Sequence, residues 1–187
     1  NAHLNDEAIY RVAADYIAQG KVVAWAQGRM EFGPRALGNR SILADPTAPN
    51  MRDKINSLVK KRESFRPFAP AVIAEKAGSY FDIPKQVELP YMLFTVDVKP
   101  EYQAKLPAIT HVNGSARVQT VSQDCSPKFW SLIDSLGAKT GMPVVLNTSF
   151  NVKGQPIVRT AYEAIETFIN AGLDALFLGN YLIELRK

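Results

Sequence analysis

Two short apolar runs, KVVAWA over 21–26 and PVVLNTS over 143–149, restrict the fold more than any other feature. Each is too short for a core helix and carries adjacent valines, so each reads as a buried strand. Helical periods lie around them. Over 5–19, Ile9, Val12, Ala13, Tyr16 and Ile17 recur at helical spacing, with Asn5 as cap and Gly20 as stop. PNMRDKINSLVKK (49–61) has proline in its first turn and Ile55, Leu58 and Val59 on one face. A third helix starts at Ser126-Pro127, with Phe129, Leu132, Ile133 and Leu136 inward. TAYE (160–163) is a capping box opening a fourth, through Ile165, Phe168 and Ile169 to Gly172. FAPAVI and YMLFTVDV (91–98) read as further strands. AITHV and ARVQTV read as two strands about a turn at Asn113-Gly114, and DALFLGNYLIEL as a hairpin about Gly179-Asn180. Strands alternating with helices, hairpins included, predict an α/β (α+β) layered domain with a mixed sheet.

The rest of the chain narrows the class. With 187 residues, 47% of them hydrophobic, it can bury one sizeable core and is neither disordered nor fibrous. No apolar run reaches the roughly 20 residues of a membrane span. The single cysteine, Cys125, forbids an internal disulfide and suits a reducing compartment, so the expected location is cytoplasmic. The chain opens on Asn-Ala rather than methionine, which suggests a piece of a longer protein with residues 1–2 a cloning scar and one domain over 5–187. Positive charge is concentrated. Nine Lys/Arg against four Asp/Glu over 29–66 give that segment +5, and the total of +4 leaves −1 for everything else. A localised positive field suits a compact anion or a nucleic acid.

Four polar stretches end or follow apolar runs, the usual place for ligands in open α/β sheets. GRMEFGPRALGNRS (28–41) interleaves Arg29, Arg35 and Arg40 with three glycines and a proline, a shaped loop carrying permanent cations. KKRESFRPF (60–68) crowds Lys60, Lys61, Arg62 and Arg66 at and beyond a helix end. A helix dipole accounts for the lysines but not for Arg66. HVNGSARVQTV (111–121) sets Arg117 within an apolar alternation, where a buried guanidinium needs an anion; His111 reads as a hydrogen-bonded structural histidine. LNTSFNVKG (146–154) offers Asn147, Thr148, Ser149 and Asn151, either as turn formers or as a cradle for a neutral planar group. Two histidines, one cysteine and no metal-ligand spacing disfavour a nucleophile-and-base hydrolase or a protein-held metal. Arginines, lysine, serine and asparagines instead suit positioning and charge stabilisation, as in phosphoryl and nucleotidyl transfer.

Taken together, GRMEFGPRALGNRSILADP, KRESFRPFAPAV, HVNGSARVQTV and GMPVVLNTSFNVKGQPIV resemble the C-terminal domain of the NodU/CmcH-type O-carbamoyltransferases, over about residues 5–180. The resemblance implies a YrdC-like fold, a twisted open mixed sheet with helices packed on it, akin to threonylcarbamoyl-AMP synthase. It implies that ATP and carbamoyl phosphate are joined into carbamoyl-adenylate, with Mg²⁺ accompanying the ATP. An N-terminal kinase-fold domain, absent from this chain, then delivers the carbamoyl group to an acceptor hydroxyl. By analogy with the synthase's Lys-x-Arg and Ser-x-Asn signatures, Lys60-Lys61-Arg62 and Ser149-Phe150-Asn151 are the equivalent positions. The expected catalytic residues are then Lys60, Arg66, Arg117 and Ser149. The expected substrate and nucleotide contacts are Arg35, Arg40, Arg62, Asn147 and Asn151. Family members often carry Asp where this chain has Asn113, which weakens any cation or ribose contact there.

Two other classes stay open on the residues alone. A nucleic-acid-binding module would show affinity that falls steeply with salt, although stacking aromatics are sparse in the basic segment. A non-catalytic scaffold domain would fail to bind ATP. No membrane partner is expected, and a homodimer stays open.

Overall fold

In the computed structural model, which describes residues 2–61 and 67–185, local sequence signals and tertiary packing agree over most of the chain. β1 (Ala2–His3) leads into α1 (Asp6–Ala18), whose first turn is capped by Asn5 Oδ1 accepting from the Ala8 N–H at 2.8 Å. β2 (Val23–Ala26) and β3 (Arg40–Ala44) flank the glycine-arginine loop. α2 (Met51–Ile55) continues as a π-helical turn over Asn56–Lys60, ended by Lys61 in the left-handed region. β4 (Ala69–Ile73), α3 (Ala77–Tyr80), β5 (Val96–Asp97), α4 (Pro100–Gln103), β6 (Ser115–Ala116) and β7 (Gln119–Val121) follow. The chain closes with α5 (Pro127–Thr140), β8 (Val144–Ser149), α6 (Ala161–Ala171), β9 (Ala175–Leu178) and β10 (Tyr181–Ile183).

Eight of these strands form one mixed sheet in the order β1-β10-β9-β2-β3-β8-β4-β7. The β2/β9 and β4/β7 pairs are parallel and the others antiparallel. Because side chains alternate along a strand, each central strand feeds two cores. Val23, Trp25, Leu43 and Val145 pack with Ile9, Ile17, Phe129 and Leu132 of α1 and α5. Ala24, Ile42, Val144 and Leu146 pack on the opposite face with Ile55, Val59 and Phe168. The four inward residues expected of α5 are all buried, each contributing about 1.5–3 kcal/mol. The mixed α/β sheet with helices on it is therefore the expected architecture.

The local expectations diverge in five places. β3 was not anticipated, because the loop reading absorbed its first residues. The strand expected over 91–98 shrinks to Val96–Asp97: Met92 sits at φ 55, and Tyr91, Leu93 and Phe94 face outward. The Asn113-Gly114 turn forms, with His111 N–H to Ser115 O at 2.7 Å, but its flanks do not pair with each other. AITHV is coiled instead, with adjacent Ala108 and Ile109 both buried; β6 pairs with β5 and β7 with β4. The helix expected over 49–61 spans 51–60 and finishes as π. The capping box is half realised. Thr160 Oγ1 accepts from Glu163 N–H at 3.2 Å, while the Glu163 carboxylate accepts from Arg159 N–H at 2.7 Å.

Candidate active site

Strand register brings the four polar stretches to one edge of the sheet. Ser41 faces Ser149 across the β3/β8 ladder, Asn147 faces Ala69 across β8/β4, and Gln119 faces Ala71 across β7/β4. The start of β3, the end of β8 and the starts of β4 and β7 therefore coincide. A cleft of about 230 Å³ opens there, lined among others by Arg35, Lys60, Arg117, Asn147, Ser149 and Asn151. Six expected site residues, drawn from all four stretches, thus share one cavity.

Lys60 is its best-defined cation. Its ammonium donates to Ser149 O at 2.7 Å and Asn151 Oδ1 at 2.7 Å, with Ser149 Oγ and Asn151 O both at 3.1 Å. These oxygens fix the direction of the ammonium. Ser149 Oγ donates to Asn151 Oδ1 at 2.7 Å, and Asn151 Nδ2 donates to Gln155 O at 2.6 Å. Since the Ser149 proton is already held by an amide oxygen, the hydroxyl is arranged to position and not to attack. Lys61, next in sequence, is exposed, and its left-handed backbone ends the π turn.

The loop between β2 and β3 is built around a carboxylate. Glu31 Oε1 accepts from the N–H groups of Leu37 (2.6 Å), Asn39 (2.7 Å) and Arg40 (3.4 Å). Gly38, at φ 111, accepts from the Trp25 indole at 2.9 Å, and a Cβ there would lie 2.3 Å from the Phe129 ring. On the cleft side, Gln119 Nε2 donates to Leu37 O at 2.8 Å, and Asn147 Nδ2 donates to Ala36 O at 3.1 Å and Gln119 Oε1 at 2.9 Å. The loop is thereby held from both sides, and Arg35 stays exposed at the cleft mouth.

Arg40 stands apart from this group. Its guanidinium donates to the carbonyls of Gln27, Gly28, Asn39 and Arg159, at 2.7–3.3 Å, and does not line the cleft. Burial lowers its pKa, and Glu31 opposes that shift. These contacts are structural: four carbonyls take four of its five N–H donors and leave Nε–H. Arg62 and Arg66 lie outside the described residues. Arg117 is half-buried, and its charge helps burial to lower the His111 pKa, burial being the larger cause. Asn113 Oδ1 accepts from Ser115 N–H (3.2 Å) and Oγ (2.8 Å), which gives this side chain a turn-forming role.

Glu31, Gln119 and Lys153 are the polar residues that sequence reasoning passed over. Lys153 lines the cleft and donates to Lys61 O at 3.2 Å. Its place two residues after Asn151 is the signal that was there to read. Among the described residues no group of three His, Cys, Asp or Glu could hold a metal ion. No helix among them is long and apolar enough to cross a membrane.

Known proteins resemble this chain in sequence and in fold. Nodulation protein NolNO of Sinorhizobium fredii is 50% identical over 175 residues, covering 93% of this chain and 26% of its own length. The 3'-hydroxymethylcephem-O-carbamoyltransferase of Amycolatopsis lactamdurans is 40% identical over 164 residues, covering 88% of this chain and 31% of that protein. The chain thus spans about a quarter to a third of these relatives. Among solved structures, P. abyssi Sua5 complexed with L-threonine aligns with a TM-score of 0.63 at 16% identity, over 93% of this chain and 47% of that one. Full-length HypF in its phosphate- and nucleotide-bound form aligns with a TM-score of 0.60 at 16% identity, over 90% of this chain and 20% of that one. These two establish the YrdC/Sua5-like fold alone. The family model described as "Carbamoyltransferase C-terminus" matches residues 14–185, and the chain belongs to that carbamoyltransferase family.

Proposed function

We propose that the cleft binds carbamoyl phosphate and ATP and forms carbamoyl-adenylate, which a further, kinase-fold domain uses to carbamoylate an acceptor hydroxyl. The observation that carries this reading is the Lys60 ammonium held by the Ser149 and Asn151 oxygens in a cleft shared with Arg35 and Arg117. Both substrates are polyanions, and the reaction releases two more. Carbamoyl phosphate, ATP and one water give carbamoyl-adenylate, pyrophosphate and phosphate. Water cleaves carbamoyl phosphate to carbamate and phosphate; a carbamate oxygen then bonds the α-phosphorus as the α–β phosphoanhydride bond breaks and frees pyrophosphate. Cations gathered in one cleft suit this charge movement, at about 1.5–3 kcal/mol for each charge-assisted hydrogen bond.

In this reading Lys60 and Arg117 stabilise the reacting phosphates, joined by Arg66 and Arg62 of the basic segment, and Ser149 orients Lys60. Arg35 gathers phosphate at the cleft mouth, while Asn147 and Asn151 fix the carbamoyl amide or the ribose. Mg²⁺ arrives with ATP. Support also comes from the family and from the relative that carbamoylates a hydroxymethyl group by name. The test is pyrophosphate–ATP exchange with and without carbamoyl phosphate, on the wild-type chain and on Arg35→Ala and Lys60→Met. Exchange that requires carbamoyl phosphate and falls at least about a hundredfold in the Lys60 variant supports the reading. An absence of ATP binding at millimolar concentration overturns it.

A further inference from the structure

Asn147 is 1% exposed, and its Oδ1 accepts no hydrogen bond. Its orientation is fixed by chemistry. Leu37 O can only accept, so Gln119 must turn its Nε2 toward it, 2.8 Å away. Gln119 Oε1 then faces Asn147 and can be met only by Nδ2, at 2.9 Å, whose other hydrogen goes to Ala36 O at 3.1 Å. Both donors of Asn147 are thereby engaged on the loop side. What remains on this cleft-lining residue is a buried acceptor without a donor, an arrangement that buried polar atoms rarely keep without a ligand.

We infer that Gln119 is a positioning residue for acyl-group selectivity: by locking the Asn147 amide it makes the cleft select an acyl phosphate that carries N–H on its acyl carbon. This rests on the reading of the cleft as a carbamoyl phosphate site. Carbamoyl and acetyl phosphate differ only by NH₂ in place of CH₃. The amide donates to Asn147 Oδ1, whereas the methyl leaves that acceptor buried and unmet. The second case costs binding about tenfold to a hundredfold. An unlocked Asn147 could rotate and offer Nδ2 instead, which bonds neither the NH₂ nor the CH₃ and so does not tell the two ligands apart.

The experiment is competition calorimetry with carbamoyl phosphate and acetyl phosphate on the wild-type chain, Gln119→Met and Gln119→Glu. The wild type is expected to prefer carbamoyl phosphate at least about tenfold. Gln119→Met keeps the volume but frees Asn147, and the preference should fall below about threefold. The carboxylate introduced by Gln119→Glu can only accept, so it holds Asn147 in place; the preference should survive even if both affinities weaken through the loosened loop. Equal wild-type affinities overturn this inference and leave the anion-site reading standing. Binding of neither ligand overturns both. A preference retained in Gln119→Met, or lost in Gln119→Glu, refutes the lock, and the second arm decides if Gln119→Met does not fold.

Discussion

Replacing Glu31 by alanine should release the arginine loop while leaving the sheet intact. The Glu31 carboxylate accepts two short backbone hydrogen bonds, from Leu37 and Asn39, and a longer one from Arg40. Bonds to a charged acceptor contribute about 1.5–3 kcal/mol each, so the two short ones amount to about 3–6 kcal/mol. Glu31 is half-buried, and water can replace part of this, which places the expected loss near the lower end. Native-state hydrogen exchange reads it residue by residue. The Leu37 and Asn39 amides should lose about a hundredfold in protection or more, while exchange in β2 and β8 is far less affected. Carbamoyl phosphate affinity should fall with loop order, because Arg35 lies between the anchors. Unchanged protection at Leu37 and Asn39 would refute a carboxylate-built loop.

Gly38→Ala should destabilise the whole chain by about 2–6 kcal/mol, from left-handed strain and overlap with buried Phe129, read from urea unfolding. Hydrogen bonds from Arg159 hold the Glu163 carboxyl down at about 2. A depressed carboxylate stabilises the fold above its ordinary pKa, so this contribution is lost as pH falls from about 4.5 toward 2. Arg159→Gln should flatten that part of the stability profile in acid unfolding. His111 is held below its usual pKa by burial and then by Arg117. Its contribution is present above the ordinary value of 6.5 and lost as pH falls through the lowered one, so His111→Gln should remove that slope while NMR titration of the wild type shows the shift.

What could be read in the sequence depended on whether a signal was local. α5 and the hairpin between β9 and β10 carry their instructions in adjacent residues: proline at the helix start, apolar spacing, and a Gly179-Asn180 turn. The cleft's polar residues were also legible, since Lys60, Ser149 and Asn151 sit in polar runs beside apolar ones. Gln119 and Glu31 were not, because each bonds backbone groups of the loop, up to 82 positions away, and no side-chain pattern marks a carbonyl in need of a donor. Arg40 looked like Arg35 for the same reason. Only the fold distinguishes a guanidinium surrounded by carbonyls from one left at a cleft mouth. The strand expected over 91–98 failed because its apolar side chains face outward in place of alternating into a core.

The claim on which the rest depends is that phosphate enters the cleft between Arg35 and Lys60. A crystal soaked with carbamoyl phosphate and α,β-methylene-ATP tests it most directly. The account expects phosphoryl oxygens within about 3 Å of the Arg35 guanidinium and the Lys60 ammonium, with the carbamoyl nitrogen facing Asn147 Oδ1. Density for either ligand only outside this cleft, at saturating concentration, would contradict it.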